Sequence, residues 1–135
     1  MKATDAGGPR VLLVDDDAAV AGALAAVLSR SGYRVTVAAN ARVAEVLLEE
    51  RFDALLLDLR MPGMRGDAFY FLARARQAWL AERTLFMTGD ITPLAEDIVA
   101  QTGCPMLQKP FRGEALIRAL DAMAPRTLHQ GDRAS

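Results

Sequence analysis

Apolar residues fall along this chain in two alternating rhythms. Short unbroken runs read as strands buried on both faces: Arg10–Val14 (RVLLV), Ala54–Leu57 (ALLL), Thr84–Met87 and Met106–Gln108. Arg34–Ala38 (RVTVA) is the remaining strand. Between these runs the apolar positions recur at steps of three and four, the helical rhythm. The first helix starts near Ala18 behind an Asp17 cap, with Val20, Leu24, Val27 and Leu28 on one face and Gly32 just past its end. Asn40 caps a second, for which Val43, Val46 and Leu47 are the expected core positions. The third is expected from Asp67 to about Ala81, with Phe69, Leu72, Ala73 and Arg76 in line and Trp79 packing at its end. Thr92 caps the fourth, which carries Pro93 in its first turn, is short and ends by Gly103. The last runs from about Arg112 to Met123, with Leu116, Leu120 and Met123 one above another.

The order is strand then helix, five times over. Strands apolar on both faces and joined by helices predict a parallel sheet covered on both sides. Right-handed crossovers make it an open, doubly wound α/β sheet with strand order 2-1-3-4-5. One domain is expected over residues 10–124, with polar or Gly/Pro-marked tails at 1–9 and 125–135. In such a sheet chemistry gathers beyond the carboxyl ends of the strands.

Composition narrows the picture. The chain has 135 residues, a 52% hydrophobic share and a formal net charge of −1. That suits one packed domain, and the near-zero charge argues against a nucleic-acid-binding module. No apolar run is long enough to cross a bilayer and no secretory leader is visible, so a cytoplasmic location without membrane contact is expected. Cys104 is the only cysteine, which fits a small packing residue in a reducing compartment. His129 lies in the polar tail. Of 16 basic residues 14 are arginine, and beside Lys2 the only lysine is Lys109. A lone interior lysine among arginines needs a reason, because the two cations are not interchangeable.

The strand ends supply candidates. Asp15, Asp16 and Asp17 follow the first strand, Asp58 the third, Thr88 the fourth, and Lys109 with Pro110 the fifth. Asp17 is explained as a helix cap, but Asp15 and Asp16 are not. Converging carboxylates repel one another unless a cation joins them, and hard oxygens at an open edge suit Mg²⁺. Asp58, placed beside the first strand by the doubly wound order, is a candidate metal ligand or phosphoryl-accepting nucleophile. Thr88 offers a hydroxyl and Lys109 a flexible point charge to a phosphoryl group. The Lys109–Pro110 bond is a candidate cis peptide.

The segments VLLVDDD (Val11–Asp17), LLLDLRMPGMRG (Leu55–Gly66), LFMTGD (Leu85–Asp90) and LQKPF (Leu107–Phe111) together resemble the receiver domain of two-component response regulators. The intervals agree as well: 42 residues from Asp16 to Asp58, 30 on to Thr88 and 21 on to Lys109. The resemblance implies that Asp58 accepts a phosphoryl group from a phosphohistidine of a histidine kinase or histidine phosphotransfer protein. It implies Mg²⁺ held by Asp15, Asp16, Asp58 and the Arg60 carbonyl, with Thr88 and Lys109 on the phosphoryl oxygens. The domain would then catalyse its own phosphorylation and dephosphorylation, with Arg60 placed to influence hydrolysis. Met106 stands where many members carry the aromatic part of their switch. With no DNA-binding effector segment after Met123, a single-domain regulator or a hybrid-kinase receiver is expected, and Thr102–Phe111 resembles the latter. Two other readings compete: a phosphorylation-independent interaction module on the same fold, and a haloacid dehalogenase-type phosphatase using Asp15-x-Asp17. The second lacks both the residue wanted at Ala19 and room for a cap domain. A flavodoxin-type nucleotide site would want glycines or backbone amides where the first loop has three carboxylates.

Overall fold

The structure, a computed structural model, describes residues 7–123. The expectations for His129 and for the segment 125–135 lie outside the described residues. Five parallel strands form one sheet in the order β2-β1-β3-β4-β5: β1 Arg10–Val14, β2 Arg34–Ala38, β3 Ala54–Asp58, β4 Thr84–Thr88 and β5 Met106–Gln108. Helices α1 Ala18–Arg30, α2 Ala41–Leu47, α3 Gly66–Arg76, α4 Pro93–Thr102 and α5 Gly113–Met123 connect or follow them. Gly8 and Pro9, assigned by composition to a tail, lie against β2, where their carbonyls accept from Arg34 Nε at 2.8 Å and Arg34 N at 2.9 Å.

Strand alternation divides the core into two layers. Leu12, Val14, Leu55, Leu57 and Phe86 face α2, α3 and α4, together with Phe69, Tyr70 and Ile98. Val11, Leu13, Leu56, Leu85 and Met87 face the other way, toward Leu28 of α1 and Leu116 and Leu120 of α5. β3 and β4 are buried at every position. Strands covered on both faces have no polar side to alternate with, which is why they read as continuous apolar runs.

Two helices differ from expectation. On α2 the buried residues are Ala41 and Ala44, continued by Leu48, whereas Val43 is 42% and Val46 63% exposed. Both sets obey helical spacing, so periodicity alone does not choose between them. Alanines at 41 and 44 let the helix approach the sheet closely, and the valine stripe is turned outward. The third helix stops at Arg76 rather than Ala81, because Gln77 takes an extended conformation at φ −134°. The buried Gln77 side chain accepts from Phe52 N at 3.0 Å and donates to the Leu48 and Glu50 carbonyls at 3.0 and 2.8 Å. Three satisfied backbone groups outweigh one more helical turn. The chain resumes as a 3₁₀ helix over Ala78–Glu82. Arg76 consequently points to solvent and pairs with Glu45 at 2.9 Å. Trp79 is 37% exposed, with Nε1 donating to the Phe52 carbonyl at 2.7 Å and Arg51 over its ring.

Candidate functional site

The acidic residues after β1 divide into three tasks. Asp17 caps α1, accepting from Ala19 N and Val20 N at 3.1 Å each. Asp15 is buried, its amide still hydrogen-bonded to the Ala38 carbonyl at 3.1 Å as though β1 continued. Asp16 is exposed at the rim. Asp58 is the last residue of β3, one step beyond the Val14–Leu57 pairing, which brings it beside the Asp15–Asp16 turn. Asp15, Asp16 and Asp58 each offer one carboxylate oxygen, and these atoms lie within 4.8 Å of one another.

Lys109 reaches this cluster from the opposite side of the sheet edge. Its amide donates to the Thr88 carbonyl at 2.7 Å, which fixes the backbone at the end of β5. Its Nζ donates to Asp15 Oδ2 at 2.9 Å and Asp58 Oδ2 at 3.0 Å. The Lys109–Pro110 peptide is cis. Asp58 Oδ1 accepts from Arg60 N at 3.1 Å. Burial pushes the Asp58 carboxyl above its ordinary value of 3.8, and Lys109 and the Arg60 amide pull it back only in part. For Lys109 burial acts downward, but its bonds to Asp15 and Asp58 outweigh it and hold the ammonium above its ordinary value. Three carboxylates thus face one ammonium. The donor set is all hard oxygen, partly open to solvent, and short of positive charge, which is what a small divalent cation needs.

Thr88 is buried, and its hydroxyl donates to the Asp90 carbonyl at 2.8 Å. It lines a cleft of about 390 Å³ with Asp16, Arg60, Arg65, Thr92 and Leu94. Every site residue expected from the sequence therefore stands at this one edge. Sequence reasoning gives no weight to Arg65, which also lines this cleft, or to Gly66 and Asp67 next to it in the chain. A Cβ on Gly66 would lie 2.7 Å from the Asp58 carbonyl oxygen, so glycine lets α3 start directly against the end of β3. Arg65 and Asp67 form a two-pronged ion pair beside it. Glycine between an arginine and an acid just before a helical rhythm is the signal that points there. A larger groove of about 920 Å³ lies between α1 and α5 and contains none of these residues.

Comparison with known proteins bears on this site. The family model described as "Response regulator receiver domain" matches residues 11–121. The transcriptional regulatory protein FixJ of Azorhizobium caulinodans is 35% identical over 124 residues, an alignment covering 90% of this chain and 57% of FixJ. The chain therefore spans little more than half the length of that relative. The structure of the chemotaxis protein CheY4 of Vibrio cholerae superposes with a TM-score of 0.77 at 29% identity, over 86% of this chain and 98% of CheY4. A response regulator from Burkholderia pseudomallei, crystallised with a phosphorylated aspartic acid, a calcium ion and citrate, gives a TM-score of 0.75 at 27% identity, over 93% of this chain and 73% of that one.

Proposed function

This chain belongs to the response regulator receiver family of two-component signalling, and on that premise we propose that Asp58 is the residue that takes up the phosphoryl group. The donor is the phosphohistidine of a histidine kinase or histidine phosphotransfer protein. The phosphorus–nitrogen bond breaks, an Asp58 oxygen forms the new bond to phosphorus, and the imidazole leaves with the electron pair. The observation that carries this reading is the convergence of Asp15, Asp16 and Asp58 within 4.8 Å while Lys109 bonds two of them.

Asp15, Asp16 and Asp58 would hold Mg²⁺, with the Arg60 carbonyl as a further oxygen. When bound, the ion supplies the positive charge that lets an anionic carboxylate approach an anionic phosphoryl group. The chain's own residues do the rest. Lys109 neutralises charge on the phosphoryl oxygens, its ammonium kept protonated by the same two carboxylates. The Thr88 hydroxyl exchanges the Asp90 carbonyl for a phosphoryl oxygen. Met106, paired with Phe86 across the strands, stands where many members carry the aromatic part of their switch. The parent is read as a hybrid kinase or a single-domain regulator, on the likeness of Thr102–Phe111 to hybrid-kinase receivers. No described helix is long and apolar enough to cross a membrane, and a cytoplasmic setting belongs to the same reading.

The test is direct. The chain is incubated with Mg²⁺ and acetyl phosphate and weighed by intact mass spectrometry. One added phosphoryl group is expected in the wild type and none in Asp58→Asn or with chelator. Equal labelling of Asp58→Asn and wild type would contradict the assignment.

A further inference from the structure

The cleft beside Asp58 has a second feature that the phosphoacceptor reading does not use. Arg65 stands at the N-cap position of α3 and makes no capping hydrogen bond with its side chain. The helix dipole disfavours a cation there and favours an anion, so Asp67 in the first turn has a helical reason to be charged and Arg65 has none. Yet Arg65 is fixed. Nε donates to Asp67 Oδ1 at 3.0 Å and Nη2 to Oδ2 at 2.9 Å, and Asp67 itself is only 7% exposed. This pairing occupies one edge of the guanidinium. A guanidinium carries five N–H donors, so Nη1 and the outer hydrogen of Nη2 remain. The same side chain lines the cleft with Asp16, Arg60 and Thr88. Arg60, by contrast, makes no ion pair among the described residues and is exposed.

We propose that Arg65, locked by Asp67, is a phosphoryl-positioning residue of the receiver cleft. Its free edge binds oxygens of the incoming phosphoryl donor and holds phosphorus toward Asp58. The inference rests on the reading of Asp58 as the acceptor. Lys109 is already shared between two carboxylates, so an approaching phosphoryl group finds in Arg65 a cation whose orientation is set before it arrives. Such a contact binds donor oxygens without breaking a bond. It therefore acts on donor binding more than on the rate at saturation, where Asp58 and Lys109 do the chemistry.

The test measures initial rates of Asp58 phosphorylation on the whole chain across acetyl phosphate concentrations at saturating Mg²⁺, with urea unfolding alongside. For Arg65→Gln the half-saturating acetyl phosphate concentration is expected to rise about five-fold, as for loss of one partly exposed charge-assisted contact. The rate at saturation, the Mg²⁺ half-saturation and the urea midpoint stay near wild type. Arg65→Lys, which restores charge but not the fork, falls between the two. Asp67→Asn shifts the same constant in the same direction, and the double variant is no worse than Arg65→Gln alone, because the acid acts through the arginine. An unchanged half-saturating concentration in Arg65→Gln overturns the proposal, as does a fall confined to the saturated rate. Full additivity of the two substitutions overturns the locking. A wild type that accepts no phosphoryl group overturns the receiver reading itself, an outcome distinct from a wild type that is labelled and a variant that matches it.

Discussion

Lys109 carries two hydrogen bonds from one ammonium, and each partner would be left buried without it. The Asp15 side chain is fully buried, whereas that of Lys109 keeps 23% of its exposure. Removing the ammonium strands charge that the fold has already desolvated. Lys109→Met is therefore expected to cost about 2 kcal/mol of stability in chelator, read as a lower urea midpoint, and added Mg²⁺ should recover part of it. No recovery with Mg²⁺ would mean that the carboxylates do not share a cation. Asp58 gives a pH signature. Its carboxyl titrates above the ordinary value in the folded chain, mainly because burial disfavours the anion. The folded state thus binds that proton more tightly than the unfolded state. The resulting stability is complete below the ordinary carboxylate value and is lost as pH rises through the raised one. Asp58→Asn escapes the loss, so in chelator it is expected to exceed wild type in urea midpoint at neutral pH, with the gap closing toward acid. A wild type as stable as the variant at neutral pH would refute this.

Among elements, α2 and α3 teach different lessons about legibility. On α2 the sequence offers two apolar stripes, and only contact with the sheet selects Ala41, Ala44 and Leu48 over Val43 and Val46. Leu48→Ala is expected to cost about 2–4 kcal/mol, while Val46→Ala, 63% exposed, changes stability by about 0.5 kcal/mol or less. Comparable losses at both positions, in urea titrations of the two variants, would show that the buried stripe has been misassigned. On α3 the helical rhythm runs on past Arg76, but Gln77 ends the helix to serve Phe52, Leu48 and Glu50. Those partners lie 25 to 29 residues away, beyond any local pattern. Gly66 is the element-scale control on the site. Its Cβ would sit 2.7 Å from the Asp58 carbonyl oxygen, so Gly66→Ala must push α3 away from β3. A cost of about 1–3 kcal/mol is expected, with slower phosphorylation of Asp58 by acetyl phosphate. An alanine variant phosphorylated at the wild-type rate would show that this close approach is incidental.

For the whole molecule, the strand order is what turns scattered residues into a site. Asp15, Asp58 and Lys109 are separated by 94 and 51 residues along the pairs that Lys109 joins, yet each ends or directly follows a strand whose end reaches the same edge. A cation that binds only this folded cluster stabilises it by mass action, by about 1.4 kcal/mol at ten times its dissociation constant. The melting temperature is therefore expected to rise with Mg²⁺ in the wild type, less so in Asp16→Asn, and an equal rise in both would remove Asp16 from the ligand set. Sequence alone determined the alternation of strands and helices, the sheet type, the caps at Asp17, Asn40 and Thr92, and the residues at the strand ends. These follow from local spacing and from the burial of strands on both faces. The tertiary structure decided which stripe of α2 is inside, where α3 stops, and that Arg65, paired with Asp67, lines the cleft while Gly66 lets α3 start against the end of β3. Those outcomes depend on contacts between residues far apart in the chain, where spacing carries no information and close packing, charge and hydrogen-bond satisfaction choose.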